Sequence, residues 1–213
     1  MRFLVLTDLH QKRSCLGWIN RVIREEAPDF TLFLGDITDI GTTDDAIEIL
    51  ESIDSEIYAI PGNCDPLDMP AGIAAVAHDM HGRRVSLGAY ELVGLGGSNI
   101  TIFGTPFELE EEEIYSLLEP VSSEGMILMT HTPSYGILDN IPGGISVGSH
   151  SVRRIVDEFR PILALSGHIH EDRGVVEKGG TVFCNPGPAK DGYCAMVTIS
   201  DGVPTIEMMG PLR

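Results

Sequence analysis

Five short runs of apolar and β-branched residues are distributed along the chain. Each run is continuous, which is typical of strands buried on both faces of a sheet. The runs are Arg2–Thr7, Phe30–Leu34, Ile57–Ile60, Met126–Thr130 and Ile162–Leu165. We therefore predict five buried strands.

Helical spacing of apolar residues follows three polar starting points. The first predicted helix has Ser14 as a candidate N-cap and ends before Pro28. Its apolar positions are Cys15, Trp18, Ile19, Val22 and Ile23. A second helix begins after Ser149 or Ser151 and ends before Pro161, with apolar positions Val152, Ile155, Val156 and Phe159. The acidic run Glu108–Glu113 suits the first turn of a third helix, which buries Ile114, Leu117 and Leu118.

The segments Arg83–Phe103 and Thr181–Met209 have a different pattern. Short apolar runs alternate there with Gly, Pro and Asp, which predicts turns and antiparallel strands. Strand and helix alternation combined with such hairpins indicates an α/β fold. We predict a four-layer sandwich of two mixed β-sheets flanked by helices, formed by a single domain over residues 1–213.

The chain is strongly acidic, with 14 Lys and Arg against 32 Asp and Glu and a formal charge of −18. A surface of this sign repels nucleic-acid backbones and anionic membranes. The charge therefore favours a small substrate or one bound through metal. A halophilic origin would produce the same excess.

The four cysteines, Cys15, Cys64, Cys184 and Cys194, form neither a C-x-x-C pair nor a metal-finger spacing. Reduced thiols in a cytosolic protein are the simplest interpretation. The apolar run before Asp8 is too short for a signal peptide, and no stretch is long enough to span a membrane. We therefore expect a cytoplasmic location.

Each apolar run is followed directly by a turn that carries polar side chains. The turns are Asp8-Leu9-His10, Gly35-Asp36-Ile37-Thr38-Asp39, Pro61-Gly62-Asn63-Cys64-Asp65, His131-Thr132-Pro133 and Ser166-Gly167-His168-Ile169-His170. Ligand sites in open α/β sheets lie at the carboxyl ends of strands, so we expect these turns at the same end of the sheet. Gly35, Gly62 and Gly167 allow the backbone to turn sharply and to approach an ion closely.

Each of these turns has an ordinary explanation when it is taken alone. A D-x-H sequence is more often a solvated turn than a pair of metal ligands, and Gly-Asn is a common turn dipeptide. Five such turns in order, each with a carboxylate, imidazole or amide, are hard to explain by turn formation. We therefore favour a metal site. His78, His81 and His150 lack this setting and are predicted to be surface residues.

The motif order D-x-H, G-D-x-x-D, G-N-x-D, a lone strand-end His and G-H-x-H resembles the signature of the calcineurin-like metallophosphoesterases. The flanking sequences resemble the small prokaryotic Icc-related branch of that family: Thr130-His131-Thr132-Pro133, Gly148-Ser149, Arg160-Pro161 and Asn185-Pro186-Gly187. The resemblance extends from Asp8 to Gly187, nearly the whole chain. It implies a metal-dependent phosphoric ester hydrolase.

The resemblance also implies a binuclear centre with two divalent metal ions per chain. Carried over by position, one ion is bound by Asp8, His10 and His170, the second by Asn63, His131 and His168, and both by the bridging Asp36. Such oxygen and nitrogen ligands suit Mn²⁺, Fe, Ni²⁺ or Zn²⁺, and we expect Mn²⁺ among the better activators. Two carboxylates against two dications leave the site positive, so it attracts a phosphate.

The reaction that the resemblance implies is in-line attack on phosphorus by a hydroxide that bridges the metals. Many family members carry a histidine after the motif asparagine, where it can protonate the leaving oxygen, but this chain carries Cys64. A thiol is a weak donor, and losing a general acid costs on the order of 10²–10⁴ in rate. Relatives with cysteine here resemble phosphodiesterases with weak monoesterase activity. We therefore predict a phosphodiesterase, although Cys64 could equally be a space-filling residue.

Two nearby aspartates and one segment have alternative interpretations. Asp39 and Asp65 either orient metal ligands, the role we assign to Asp65, or stabilise their turns. The Gly- and Pro-rich segment Thr132–His150 is either a substrate-facing loop or a surface connection. The helix that follows this segment could offer free backbone N–H groups to an anion.

Other functions stay open. A scaffold that kept the fold but lost the reaction, as in a retromer subunit, is one alternative, but all seven ligand positions hold usable side chains. A phosphomonoesterase or protein phosphatase is another, although a protein phosphatase usually keeps the histidine. The charge and the lack of an added basic domain disfavour a nuclease. A homo-oligomer is compatible with the sequence.

Overall fold

The structure, a computed structural model, describes residues 1–212. Its helices are α1 (Leu16–Glu26), α2 (Thr43–Glu51), α3 (Met69–Val76), α4 (Glu111–Leu118) and α5 (His150–Phe159). Its strands in the first half of the chain are β1 (Arg2–Leu6), β2 (Phe30–Phe33), β3 (Ile57–Ala59), β4 (His78–Asp79), β5 (Arg83–Leu87), β6 (Tyr90–Leu95), β7 (Ser98–Asn99) and β8 (Glu108–Leu109). Those in the second half are β9 (Ile127–Thr130), β10 (Asn140–Ile141), β11 (Ile145–Ser146), β12 (Leu163–Leu165), β13 (Gly174–Lys178), β14 (Thr181–Asn185), β15 (Cys194–Ser200) and β16 (Val203–Met209).

Two six-stranded mixed sheets form the centre of the fold. The first has the order β16-β15-β1-β2-β3-β4, in which β1 to β4 pair in parallel and the β15–β16 hairpin joins antiparallel to β1. The second has the order β13-β14-β12-β9-β6-β5, with parallel β14, β12, β9 and β6 and an antiparallel strand at each edge. The predicted hairpins are thus confirmed at β5–β6 and β15–β16.

The alternation of side chains along β1 separates two hydrophobic layers. Leu4 and Leu6 pack with the apolar faces of α1, α2 and α3, whereas Phe3 and Val5 face the second sheet. A third layer lies between the outer face of the second sheet and helices α4 and α5. Helix, sheet, sheet and helix therefore form four layers, as predicted. Arg213 of the predicted 1–213 domain lies outside the described residues.

Two predicted helix starts are wrong. Helix α1 begins at Leu16 with Cys15 as its N-cap, because Ser14 lies within a preceding 3₁₀ turn and makes no capping bond. Helix α4 begins at Glu111, and Glu108 instead lies in strand β8. Only the last three acids of the run therefore occupy a first turn, where negative charge is favourable.

Helix α5 begins as predicted after Ser149, whose hydroxyl accepts a hydrogen bond from the backbone N–H of Val152. It ends at Phe159, and Arg160 adopts a left-handed conformation before Pro161. The buried positions Val152, Ile155 and Val156 follow the predicted spacing. None of the helices within residues 1–212 is long and apolar enough to cross a membrane.

Candidate metal centre

The five predicted turns meet in one place, but they come from both sheets. Those after β1, β2 and β3 belong to the first sheet, and those after β9 and β12 belong to the second. The expectation of a single sheet end is therefore wrong. Because the two sheets pack face to face, the carboxyl ends of their parallel strands converge at a shared edge, and the site lies across it.

The backbone is strained at several of these turn residues. Asp8, His10, Asp36 and His168 all have positive φ, at 54°, 46°, 50° and 66°. A side chain in this region costs of order 1–3 kcal/mol and persists where the surroundings hold it. Backbone bonds from Asp8 N to the Gly35 carbonyl (3.0 Å) and from His10 N to the Asp36 carbonyl (2.9 Å) hold the first two turns together. Such strain concentrated at one site is typical of function.

The first group of predicted ligands is Asp8, His10 and His170. His170 Nε2 lies 3.1 Å from Asp8 Oδ1 and 3.4 Å from His10 Nε2. The other oxygen of Asp8 accepts hydrogen bonds from the Thr7 hydroxyl (2.7 Å) and the backbone N–H of His168 (3.1 Å). These bonds fix the carboxylate so that Oδ1 points at the two imidazoles.

The second group contains Asn63, His131 and His168. His131 Nδ1 lies 2.7 Å from the carbonyl oxygen of Leu34, which can only accept, so Nδ1 carries the proton. Its Nε2 faces Asn63 Oδ1 at 2.9 Å. The ring of His168 packs against that of His131, with centroids 5.1 Å apart.

The carboxylate of Asp36 lies between the two groups. Its Oδ2 is 3.5 Å from His10 Nε2, and its Oδ1 is 3.5 Å from His131 Nε2. The backbone N–H of Cys64 donates to Oδ1 at 2.8 Å and holds the carboxylate in this orientation. A carboxylate that presents one oxygen to each group has the geometry of a bridge.

The three glycines Gly35, Gly62 and Gly167 permit the turns to pack closely against one another. A Cβ on Gly35, which has φ of +94°, would meet the backbone of Gly62 at 2.5 Å. A Cβ on Gly62 would overlap the carboxylate of Asp36, and one on Gly167 would overlap Thr7 and Asp8. The turns can approach one another only because these positions lack side chains.

Burial and mutual charge perturb the groups of the site. Burial alone would lower the pKa of His131, but the carboxylates of Asp36 and Asp8 raise it to about 9. Burial lowers the pKa of His168 to about 4, and it also lowers that of His10. For Asp8 burial acts to raise the pKa, but the close contact with His170 and the charge of His131 and His170 hold the pKa below its usual range.

These residues fit a pair of divalent metal ions. Asp8 Oδ1 is fully buried and makes no well-aligned hydrogen bond although His170 Nε2 lies 3.1 Å away, which leaves a charged acceptor without a donor in line. Asp8, His10 and His170 place one ligand atom each within 4.8 Å of one another, and so do Asp8, Asp36 and His131. Oxygen and imidazole nitrogen donors suit first-row divalent ions. A cation would satisfy the unpartnered oxygen and the carboxylate charge together.

Comparison with known proteins identifies the family. Residues 1–172 match the family model for calcineurin-like phosphoesterases. The chain belongs to this family. It is 33% identical over 199 residues to the uncharacterised protein MJ1162 of Methanocaldococcus jannaschii, and the match covers 88% of both chains.

Solved structures share the fold of this calcineurin-like phosphoesterase. One is described as a novel archaeal phosphodiesterase, with TM-score 0.59, 14% identity, and coverage of 98% of this chain and 100% of that chain. Another is a dimetal phosphatase from Danio rerio, with TM-score 0.68, 12% identity, and coverage of 100% and 96%. At these identities the likeness concerns the fold alone.

Cys64 of this calcineurin-like phosphoesterase lies at the edge of the centre. Its Sγ, a nitrogen of His10 and a carboxylate oxygen of Asp36 lie within 4.8 Å of one another. The thiol is only partly buried, yet burial and the charge of Asp36 raise its pKa. The thiol therefore stays protonated near neutral pH and is a weak hydrogen-bond donor.

Asp65 and Asp39 occupy different positions around the centre. Asp65 is fully buried and accepts four hydrogen bonds, from the backbone of Gly62 (2.8 Å), Ile37 (3.2 Å) and Thr38 (2.8 Å) and from the Thr38 hydroxyl (2.8 Å). It ties the second and third turns together, which agrees with a turn-stabilising role. Burial and the charge of Asp36 raise the pKa of Asp65 to about 6. Asp39 is exposed and lies 3.6 Å from His10 Nδ1, where it can orient that ring.

The histidines outside the centre follow the prediction in two of three cases. His78 and His150 are exposed and stack on Tyr58 and Tyr135. His81 is not a surface residue: it is half-buried, its Nδ1 accepts from the backbone of Gly96 at 3.2 Å, and its ring packs on Phe107. His81 is covered because the chain that follows β6 passes over its ring at Gly96.

The expectation of free backbone N–H groups at the start of α5 is wrong. The carboxylate of Glu111 accepts hydrogen bonds from the backbone of His150 (3.1 Å) and Ser151 (2.7 Å) and from the Ser149 hydroxyl (2.8 Å). An acidic side chain of α4 thus already occupies the position that an anion would take. The preceding segment 132–150 does approach the centre, because Val147 and Ile141 line a cleft beside His168.

One residue near the centre has no signal in the sequence. The hydroxyl of Thr105 accepts a hydrogen bond from Asn63 Nδ2 at 3.1 Å and so turns the amide oxygen of Asn63 toward His131. The backbone N–H of Phe107 donates to the Asn63 carbonyl at 3.0 Å. Thr105 follows Asn63 by 42 residues, so no local spacing links them.

Proposed function

We propose that this calcineurin-like phosphoesterase hydrolyses phosphodiesters with two divalent metal ions, Mn²⁺ among the preferred ones. Asp8, His10 and His170 would hold one ion, and Asn63, His131 and His168 the other. Asp36 would hold both. The position of Asp36 supports this most strongly, because its two oxygens each lie 3.5 Å from a histidine of a different group.

The chemistry of a bound metal pair is to activate a water for attack on phosphorus and to neutralise the phosphoryl oxygens. The protein holds the ligand side chains in their orientations before substrate binds. The Leu34 carbonyl fixes the His131 tautomer with its Nε2 lone pair toward the centre, and Thr105 fixes the amide of Asn63. Two bonds to Asp8 Oδ2 leave its Oδ1 for an ion. Such supporting bonds keep the ligands in place before substrate arrives.

The preference for diesters rests on Cys64, because relatives with cysteine at this position resemble phosphodiesterases with weak monoesterase activity. A protonated thiol donates weakly, so it gives little help to a poor leaving group. An aryl leaving group needs little protonation, so aryl esters are the substrates on which the missing acid costs least. The acidic chain, with a formal charge of −18, further favours a small substrate over a nucleic-acid polymer.

Hydrolysis of bis(4-nitrophenyl) phosphate and 4-nitrophenyl phosphate should be compared with Mn²⁺, Ni²⁺, Zn²⁺ and Fe²⁺. We expect the diester to be cleaved faster, and His131→Ala to lose the activity. His150→Ala is the matched control, because that histidine is exposed and outside the centre. A faster monoesterase would overturn the diester preference, and no hydrolysis with any ion would favour a scaffold instead.

A further inference from the structure

A cleft with a volume of about 580 Å³ opens directly beside the proposed metal centre. Its floor is the loop that carries His168 and His170, so the cleft is continuous with the centre. One wall is the segment 99–103, and the other contains Ile141 and Val147. An ester whose phosphate lies at the centre would place its organic group here.

The wall formed by residues 99–103 is unusually apolar for an exposed segment. The side chains of Ile100, Ile102 and Phe103 are 53%, 95% and 79% exposed. Exposed apolar patches of this kind mark binding sites in soluble proteins, because contact with water is unfavourable for them. Three such residues within four positions, beside a metal centre in an acidic chain, therefore indicate a surface that binds an apolar group.

Hydrogen bonds hold this wall in place. The Thr101 hydroxyl donates to the Glu108 carboxylate at 2.5 Å and accepts from the backbone of Phe103 at 3.1 Å. Asn99 Nδ2 donates to the Val147 carbonyl at 3.2 Å, which joins the two walls. The apolar side chains are thus presented on an anchored segment, and the cleft exists before a ligand binds.

The charge of the cleft restricts what it can accept. Glu171 is the one carboxylate of the lining, and no Lys or Arg lines the cleft within the part of the chain that the structure describes. A second phosphate or a carboxylate on the substrate would find no cation and would be repelled by Glu171. The cleft therefore suits an uncharged organic group.

We propose that the substrate carries a bulky apolar alkyl or aryl group, which binds in this cleft while its phosphate lies at the metal centre. This substrate class rests on the proposed function. Ile102 and Phe103 are the side chains that recognise the group, and the segment 132–150 contributes to recognition through Ile141 and Val147.

A series of 4-nitrophenyl alkyl phosphates tests the proposal, since the leaving group stays constant while the second ester group grows. We expect kcat/KM to rise at least tenfold from the methyl to the hexyl ester; a fully buried methylene contributes up to about fourfold. The double variant Ile102→Ser with Phe103→Ser should reduce the hexyl-to-methyl ratio severalfold. Val203→Ser, an exposed apolar residue of β16, should leave the ratio unchanged. A flat series, or a ratio that the double variant does not change, overturns the proposal.

Binding of uncleaved analogues gives a result that does not depend on turnover. Calorimetry with methylphosphonate, hexylphosphonate and benzylphosphonate should show the two larger compounds binding at least tenfold more tightly than the methyl compound. The tighter of the two larger compounds shows whether the cleft prefers an alkyl or an aryl group. Equal or absent binding of all three overturns the apolar site, whether or not the protein is a hydrolase. If only the proposed function is wrong, the protein will not hydrolyse the esters, but it will still bind the larger phosphonates more tightly than methylphosphonate. A thymidine 4-nitrophenyl phosphate cleaved tenfold faster than the hexyl ester would also contradict the inference.

Discussion

Asn63 Oδ1 and His131 Nε2 face each other at 2.9 Å within the buried centre. An amide oxygen can only accept, and His131 already donates Nδ1–H to the Leu34 carbonyl. A cation, either a proton on Nε2 or a metal ion, is therefore needed between these two atoms. When no metal is bound, the nearby carboxylates of Asp36 and Asp8 raise the pKa of His131 to about 9, so a proton on Nε2 can take this place.

Metal binding should consequently release a proton from His131. The metal-free imidazole is protonated at pH 7.5, below its pKa of about 9, whereas a metal ligand must be neutral. His168, with its pKa lowered to about 4, is already neutral and releases none. Calorimetric titration with Mn²⁺ at pH 7.5 in two buffers of different ionisation enthalpy should give at least one proton per chain. The apparent affinity should fall at least tenfold per unit of decreasing pH.

The control for this measurement is His150→Ala, which removes an exposed histidine and should release the same number of protons. Proton release of zero at pH 7.5 would contradict the assignment of His131 as the protonated group.

Substitutions at Cys64 should distinguish a space-filling residue from a proton donor. If the thiol only fills space, Cys64→Ala should leave aryl diester hydrolysis within a few-fold, where each tenfold corresponds to about 1.4 kcal/mol of barrier. Cys64→His should add a donor beside the leaving oxygen, with a larger gain for alkyl than for nitrophenyl leaving groups. The measurement is a leaving-group series on all three proteins at equal metal occupancy. A steep loss of activity in the alanine variant rejects the space-filling role. If the rate of the histidine variant depends on leaving-group pKa as strongly as that of the parent, a general acid does not act from this position.

The close packing at Gly62 should make even a methyl group disruptive. A Cβ there overlaps the carboxylate of Asp36, so Gly62→Ala should cost about 1–3 kcal/mol of unfolding free energy and weaken metal binding. Gly17→Ala is the matched control, because Gly17 lies in α1 with open space around it and should be neutral or slightly stabilising. Urea unfolding and metal titration on both variants check this. Tight metal binding by Gly62→Ala would show that the turns have room for a methyl group and would contradict the close packing.

The sequence predicted those parts of the site whose signals are local. Each of the five strands that precede the site turns was visible as a continuous apolar run, and the polar residues that follow it are adjacent in the chain, as with Asp8 after β1. The layered fold followed from the same runs. Convergence from two sheets was not predictable in this way, because a run of apolar residues does not say which sheet it joins.

The features that the sequence did not predict depend on contacts between distant residues. Glu111 occupies the start of α5 although it precedes Ser151 by 40 residues, and Thr105 orients Asn63 across 42 residues. The cleft wall at residues 99–103 has no helical or strand period, so its apolar side chains acquire meaning only from their position beside His168. Tertiary packing determines these contacts and the position of the cleft wall, and no spacing pattern in the sequence indicates them.

The number of metal ions bound by wild type and by Asp36→Asn tests the central claim most directly. The bridge supplies one oxygen to each group of ligands, so removing its charge should weaken both ions together. Elemental analysis after reconstitution with Mn²⁺ and desalting should give two ions per wild-type chain and well under one per Asp36→Asn chain, with Asp191→Asn, an exposed carboxylate, retaining two. At most one tightly bound ion in the wild type, or loss of a single ion in Asp36→Asn, would contradict a bridged pair.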